Sequence, residues 1–548
     1  MRGGHLVAVL LCTAQAYVLA AMLPVCAEEP APTNPAVPSP APSPTPAPSA
    51  IPAGRPGGTA EAAPPVSATD PVVALIRATL YDPRVSKGAS ADDLAVLDAF
   101  YRTRTGGPLW MTQMGFSAKG QSALFEIGKA DDWGLDATAF DLPPAGALPA
   151  SPEAQAMAEF KLDLAILKYA RFARGGRFNP PELSQLFDQA PPLRDPQIVM
   201  TEIAAADAPD LYLQSLHPKH EQFMRLRRAL LTARGSDEEG TKPAGNERDI
   251  KRIIINMERW RWMPENLGPV YVWNNSPEFM LYVVKDGKMI YSDKTLVGTI
   301  GYATPVFSAD MTNIIFNPDW IAPKTVVTEN LLPALRDENY SILRIHKLSV
   351  SYQGTPVDPT RVDWGRVNIL NYTFSQKAGP DNVLGKVKFW FPNKHTVYMH
   401  DTLPVRRKYF QKPLRMIGHE CVRMEKPEQF AEVLLAEGKW WSASQVKEQW
   451  DKGVNNSVTL DYKIPVHMTY FTAVVDKTGK VSTFADVYGL DNRMATALFG
   501  NATGFPMPPP EAKGPQGEAA DASSSASSAR RAANGNDIAG SLQGFAGD

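Results

Sequence analysis

The sequence has very little cysteine: 3 in 548 residues, with Cys12 and Cys26 near the start and Cys421 far from both. A disulfide framework is therefore excluded. No dense basic block breaks a formal net charge of -2, so nucleic acid is not expected as a partner. Beyond the first 27 residues no apolar run is long enough to span a bilayer. Histidine and cysteine form no metal-ligand pattern, and Pro218 interrupts the one helix-like pair, His217 and His220. No metal or other cofactor is expected, and the lack of a nucleophile elbow disfavours a serine hydrolase.

What is present begins with an export pattern. Arg2, the apolar stretch Leu6 to Val25 and Val25-Cys26-Ala27 predict a signal peptide over residues 1–27. An uncleaved anchor is the alternative, and it would leave the protein attached to a membrane by this segment. Residues 28–70 are rich in Pro, Ala and Ser and are expected to be a disordered tether. The tail 500–548 is expected to be disordered for the same compositional reason.

Between these ends two domains are expected. Phe160, Leu164 and Leu167 recur at helical spacing, as do Phe223, Leu226 and Leu230, so 71–234 reads as an all-α domain. Polar, turn-forming residues 235–247 mark a linker. From 248 to 499 a short helix leads into β-prone runs, including a hairpin at Asp286-Gly287 and strands over 396–400 and 421–424. This domain is expected to be mainly β, with an insertion at 330–382 that caps a site.

The chemistry gathers at residues 394–424. Removal of Cys12 and Cys26 with the leader would leave Cys421 with no intramolecular disulfide partner. An inert buried cysteine is the plain reading of a lone thiol, but the neighbours favour a nucleophile. His400 ends one strand-like run at an expected sheet edge, Cys421 begins another, and Arg423 should share a face with Cys421. Backbone amides in the tight turn before Cys421 are candidate oxyanion donors. Alternation turns His395 away from His400.

The run Gly385-Lys-Val-Lys-Phe-Trp-Phe-Pro-Asn-Lys-His-Thr-Val-Tyr-Met-His400-Asp, followed by Gly418-His-Glu-Cys421-Val-Arg423, resembles the signature of L,D-transpeptidases. Arg259-Trp-Arg-Trp-Met-Pro264, Phe316-Asn-Pro-Asp-Trp320 and, further upstream, Pro108-Leu-Trp110 resemble the large periplasmic branch with a helical scaffold domain. The resemblance implies a periplasmic cysteine acyltransferase with Cys421 as nucleophile and His400 as general base. It places the Asp401 backbone carbonyl as orienter of His400. Arg423, Glu420, His419 and Gly418 fall at substrate or oxyanion positions. It implies cleavage of the diaminopimelate–D-Ala bond of a peptidoglycan stem and formation of a 3-3 cross-link.

The same site fits an L,D-carboxypeptidase, or attachment of an outer-membrane protein to peptidoglycan. A reading of another class is a non-catalytic wall-binding scaffold. Two departures stand out: Gly418 where relatives carry Ser or Thr, and Glu420 where they carry Gly. The second predicts a constrained turn and a carboxylate that opposes the thiolate unless it points outward. The short linker also leaves no room for the small peptidoglycan-binding module common in larger relatives.

Overall fold

The computed structural model describes residues 70–83, 86, 89–144, 151–235, 245–500 and 504–505. The expected signal peptide, nearly all of the tether, most of the linker and nearly all of the tail lie outside the described residues.

The first part is a stack of helices whose starts are written in the sequence. Asp70 caps α1 (Pro71–Leu80), Ser90 caps α2 (Ala91–Thr103), Ser117 caps α3 (Ala118–Gly128) and Ser151 caps α4 (Pro152–Gly175). Each side chain accepts from an N–H that the first turn leaves without a helical partner. Helix α4 carries both the apolar face Phe160, Leu164, Leu167 and two buried carboxylates, Glu159 and Asp163. The Tyr101 hydroxyl donates to both, at 2.9 and 2.7 Å, and the Trp110 indole donates to Asp163 at 2.7 Å. Helices α5 (Pro196–Ala205), α6 (Pro209–Ser215) and α7 (Glu221–Arg234) follow. The α7 face Phe223, Leu226, Leu230 does not join the scaffold's main core. It packs with Met257 and Trp260 of α8 (Glu247–Arg261) and with Phe471 of the second domain.

This region is not wholly helical. Besides a small hairpin at 111–116, it contributes strand β1 (Phe187–Asp188), which pairs in parallel with the second domain's sheet. A two-residue strand between Pro-rich segments leaves no periodic signal.

The second domain is a closed barrel. Strands β2 (Val270–Asn275), β3 (Met280–Lys285) and β4 (Lys288–Leu296) form a meander. Its first tight turn uses Asp286 at φ 49° and Gly287 at φ 73°, the left-handed pair a two-residue hairpin needs. Strand β5 (Val306–Phe316) precedes the cap. The cap has its own four-stranded sheet, ordered β8 (Thr355–Pro356), β7 (Ser349–Tyr352), β9 (Tyr372–Gln376), β6 (Trp320–Ile321). The insertion thus carries a sheet of its own, which takes in Trp320, ten residues before the expected boundary.

After the cap come β10 (Val387–Trp390), β11 (Met399–His400), β12 (Val422–Met424) and β13 (Asn456–Thr469). The order is β10-β11-β12-β4-β3-β2-β13-β5, and β10 also pairs with β5, which closes the ring; β1 adds beside β5. Helices at Pro427–Lys439 and Ala443–Asp451 pack into the barrel's apolar core with Phe430, Leu434 and Val446.

Two local expectations change. The strand expected over 396–400 is strand only at 399–400. Thr396 sits at φ 53°, and Asn393 closes a loop by accepting from the His395 and Val397 amides. His400 also lies on an interior strand, between β10 and β12, rather than at a sheet edge.

Candidate active site

Parallel pairing of β11 and β12 sets Met399 opposite Val422 and His400 opposite Arg423. One step back, the Val422 amide donates to the Tyr398 carbonyl at 3.2 Å and the Tyr398 amide donates to Cys421 Sγ at 3.3 Å. Alternation then sorts the side chains. Met399, Val422 and Met424 enter the barrel core, while Tyr398 and Cys421 join the apolar core of the cap with Trp320, Val326 and Phe374. His400 and Arg423 share the face of Tyr398 and Cys421, so the structure brings Cys421, His400 and Arg423 together.

Lys388 on β10 stands opposite His400, which makes a row Lys388–His400–Arg423 across three strands. All three are buried. Burial, then the Arg423 charge, and more weakly Lys388, push the His400 pKa well below its ordinary value, against an upward pull from the Asp401 and Leu384 backbone. The imidazole is neutral at pH 7 and can accept a proton. Its Nδ1 makes no hydrogen bond of normal geometry, so the Asp401 carbonyl acts on the ring as a nearby dipole. Burial and then Arg406 bring Arg423 down to about 9, while its Nη1 donates to the carbonyls of Ile417 at 3.0 Å and Cys421 at 3.3 Å. Arg423 thereby ties the turn before the nucleophile to the strand after it.

The Asp401 carboxylate has a structural task. It accepts from the Lys386 amide at 3.0 Å, the Thr402 amide at 2.7 Å and Arg407 at 2.7 Å. A Cβ on Gly385 would lie 2.4 Å from Asp401 Oδ2, so the glycine permits this approach.

The turn 418–420 differs from expectation in one respect. Gly418 takes φ 78°, whereas Glu420 is outside the left-handed region. The residue that needs glycine is at 418, and Glu420 imposes no such strain. The Glu420 side chain is half-buried, and its carbonyl accepts from Thr304 Oγ1 at 2.8 Å. His419 stacks on Tyr302 with ring centroids 3.7 Å apart. His395 lies in the loop before β11, bonded to Asp188.

Cys12 and Cys26 lie outside the described residues, and thiolate chemistry at Cys421 requires its sulfur in the reduced form.

Sequence reasoning missed Lys388, Tyr398, Thr304 and Tyr488 as parts of the site. Alternation in Lys386-Val-Lys-Phe-Trp could have placed Lys388 on the His400 face. The other three depend on long-range packing that no spacing encodes.

Comparison with known proteins accords with this geometry. Residues 95–230 match a scaffold domain and residues 269–452 an L,D-transpeptidase catalytic domain. A Haemophilus influenzae protein named "Putative L,D-transpeptidase" is 32% identical over 259 residues, covering 46% of this chain and 51% of that protein. The chain thus spans about half the length of this curated relative. The helical region and the barrel thus carry a scaffold domain followed by an L,D-transpeptidase catalytic domain.

Proposed function

We propose that the reduced protein is a periplasmic L,D-transpeptidase that forms 3-3 cross-links between peptidoglycan stems. The observation that carries this reading is the β11–β12 register, which sets Cys421 beside Tyr398 and His400 beside Arg423. Neutral His400 takes the thiol proton, and the Arg423 charge favours the thiolate. The sulfur adds to the carbonyl of the diaminopimelate–D-Ala bond, the C–N bond breaks, and D-Ala leaves with the proton from His400. An amine of a second stem attacks the thioester. A new C–N bond forms, the C–S bond breaks, and the amine proton returns through His400 to sulfur.

The export pattern at residues 1–27 supports a periplasmic location. Stem peptides are the partners this reading requires. An outer-membrane protein is the alternative acceptor.

The test is incubation of the reduced full-length chain with disaccharide-tetrapeptides, alongside Cys421→Ala, with products read by mass spectrometry. Release of D-Ala with 3-3 dimers is expected. Tripeptide alone would make water the acceptor and the protein an L,D-carboxypeptidase. No Cys421-dependent product would overturn the enzymatic reading in favour of a wall-binding scaffold. Acylation of Cys421 by a carbapenem is expected under the same reading.

A further inference from the structure

Two threonines of the segment after β4 reach the turn before Cys421 from behind. Thr299 donates to the Gly418 carbonyl twice, from its amide and from Oγ1, both at 3.1 Å. Thr304, fully buried, donates from Oγ1 to the Glu420 carbonyl at 2.8 Å and accepts from the Gly298 amide at 3.0 Å. The Tyr488 hydroxyl donates to the Gly298 carbonyl at 2.8 Å and accepts from the Thr304 amide at 3.3 Å. Gly298 permits the approach, because a Cβ there would lie 1.9 Å from the Tyr302 carbonyl oxygen.

A trans peptide is planar, with its C=O and N–H on opposite edges. Fixing the Gly418 carbonyl therefore fixes the direction of the His419 N–H. Fixing the Glu420 carbonyl does the same for the Cys421 N–H. We propose that Thr299 and Thr304, with Tyr488 behind Thr304, are positioning residues that aim the His419 and Cys421 amides at the oxyanion formed during acyl transfer. None of the three touches the reacting atoms in this role.

Tyr488 links the support to Tyr470 and Asp486 in the C-terminal part of the chain. Its ring stacks on Tyr470 with centroids 5.6 Å apart, and its amide donates to the Tyr470 hydroxyl at 2.8 Å. That hydroxyl donates in turn to Asp486 at 2.7 Å. Tyr488 also lies outside residues 269–452, the span matched to the catalytic domain. The turn is thus held by a part of the chain that this match does not cover.

The proposal rests on Cys421 being an acyl-transfer nucleophile, and two reagents separate the two ideas. Iodoacetamide alkylates the thiolate by displacing iodide, with no oxyanion. A carbapenem is attacked at its lactam carbonyl: the C–S bond forms, the C–N bond breaks, and the ring nitrogen takes a proton. This path passes through an oxyanion. Both rates are measured on the reduced full chain and on Thr304→Val, Thr304→Ser and Tyr488→Phe.

For Thr304→Val we expect the saturating acylation rate to fall about 10²-fold, with half-saturation and the alkylation rate nearly unchanged. Thr304→Ser should return most of the acylation rate. Tyr488→Phe should show the same selective loss, less deeply. Equal acylation in wild type and Thr304→Val would overturn the positioning role alone. So would a parallel fall in both rates, which marks general damage. A wild-type thiol that alkylates but never acylates would overturn this role together with the proposed function.

Discussion

His395 donates from Nε2 to the Asp188 carboxylate at 2.8 Å across 207 residues of sequence, joining the helical region to the loop that leads into His400. Lys394 reaches the same carboxylate at 2.5 Å. Burial works against the charge on Asp188, but Lys394 and His395 outweigh it and lower its pKa. The contribution is present above the unfolded carboxylate value, about 3.9, and is lost as pH falls through the lower folded value. Asp188→Asn should cost about 1 kcal/mol at pH 7, discounted for exposed Lys394, and slow Cys421 acylation about tenfold. Denaturant unfolding and the acylation rate check the two parts. Unchanged acylation would confine Asp188 to stability.

The depressed His400 pKa fixes the acid side of the pH profile. An unfolded histidine titrates near 6.5, and the folded one well below it. The unfolded state therefore binds more protons between those values, and stability falls as pH drops from about 6.5. Activity should hold as pH drops through the ordinary histidine range and decline only at the lower folded pKa. Arg423→Gln removes a charge that pushes His400 down, so its acid limb should move to higher pH, while Arg423→Lys should move it less. A pH–rate series on the reduced protein reads this, and an unmoved limb in Arg423→Gln would refute the coupling.

Gly418 and Glu420 offer opposite outcomes. Gly418→Ala places a Cβ at φ 78° and should cost about 1–2 kcal/mol while distorting the turn that leads to Cys421. Glu420→Gly relieves no left-handed strain, so its acylation rate should stay near wild type. A carbapenem acylation series tests the pair. A large gain in Glu420→Gly would mean that the carboxylate itself hinders the thiolate.

The buried carboxylates of α4 predict a pH signature in the scaffold. Burial raises Asp163 and pushes Glu159 up to about 6, against the donors that hold its charged form. Between the unfolded value near 4.3 and about 6, the folded state retains a proton that the unfolded state has released. Stability should therefore decline as pH rises through that window. Glu159→Gln should flatten the slope and, by turning an amide toward the Leu109 and Trp110 N–H groups, cost about 1–3 kcal/mol. Denaturant midpoints from pH 4 to 8 measure both.

Phe374 tests the cap. It is fully buried in the cluster that contains Cys421 and Tyr398. Phe374→Ala should destabilise by about 3–5 kcal/mol and slow acylation, because the nucleophile loses the wall that packs it. Deleting the cap and finding turnover and substrate selectivity unchanged would end the capping role expected for the insertion.

The sequence exposed those features that local rules write. Apolar spacing marked the helices, Asp286-Gly287 marked the hairpin, and alternation placed Arg423 on the Cys421 face. That His400 and Cys421 lie at the ends of neighbouring strand-like runs was legible because each closes or opens such a run in the sequence. The cap's sheet was not, since Trp320–Ile321 and Thr355–Pro356 are two-residue strands whose pairing is settled by distant partners. Glu420 misled because the left-handed residue had moved two positions upstream to Gly418. The Thr304–Tyr488 contact joins residues 184 apart, and only the folded barrel brings them together.

Strand β1 has a consequence for how the protein can be divided. Its backbone occupies part of the β5 flank at Val306 and Phe307, and α7 shares one apolar cluster with α8 and Phe471. A chain begun at residue 248 would carry a raw sheet margin and a half-covered helix, both prone to self-association. Scaffold and barrel should melt in one transition, and the boundary that looks like a linker is no place to cut.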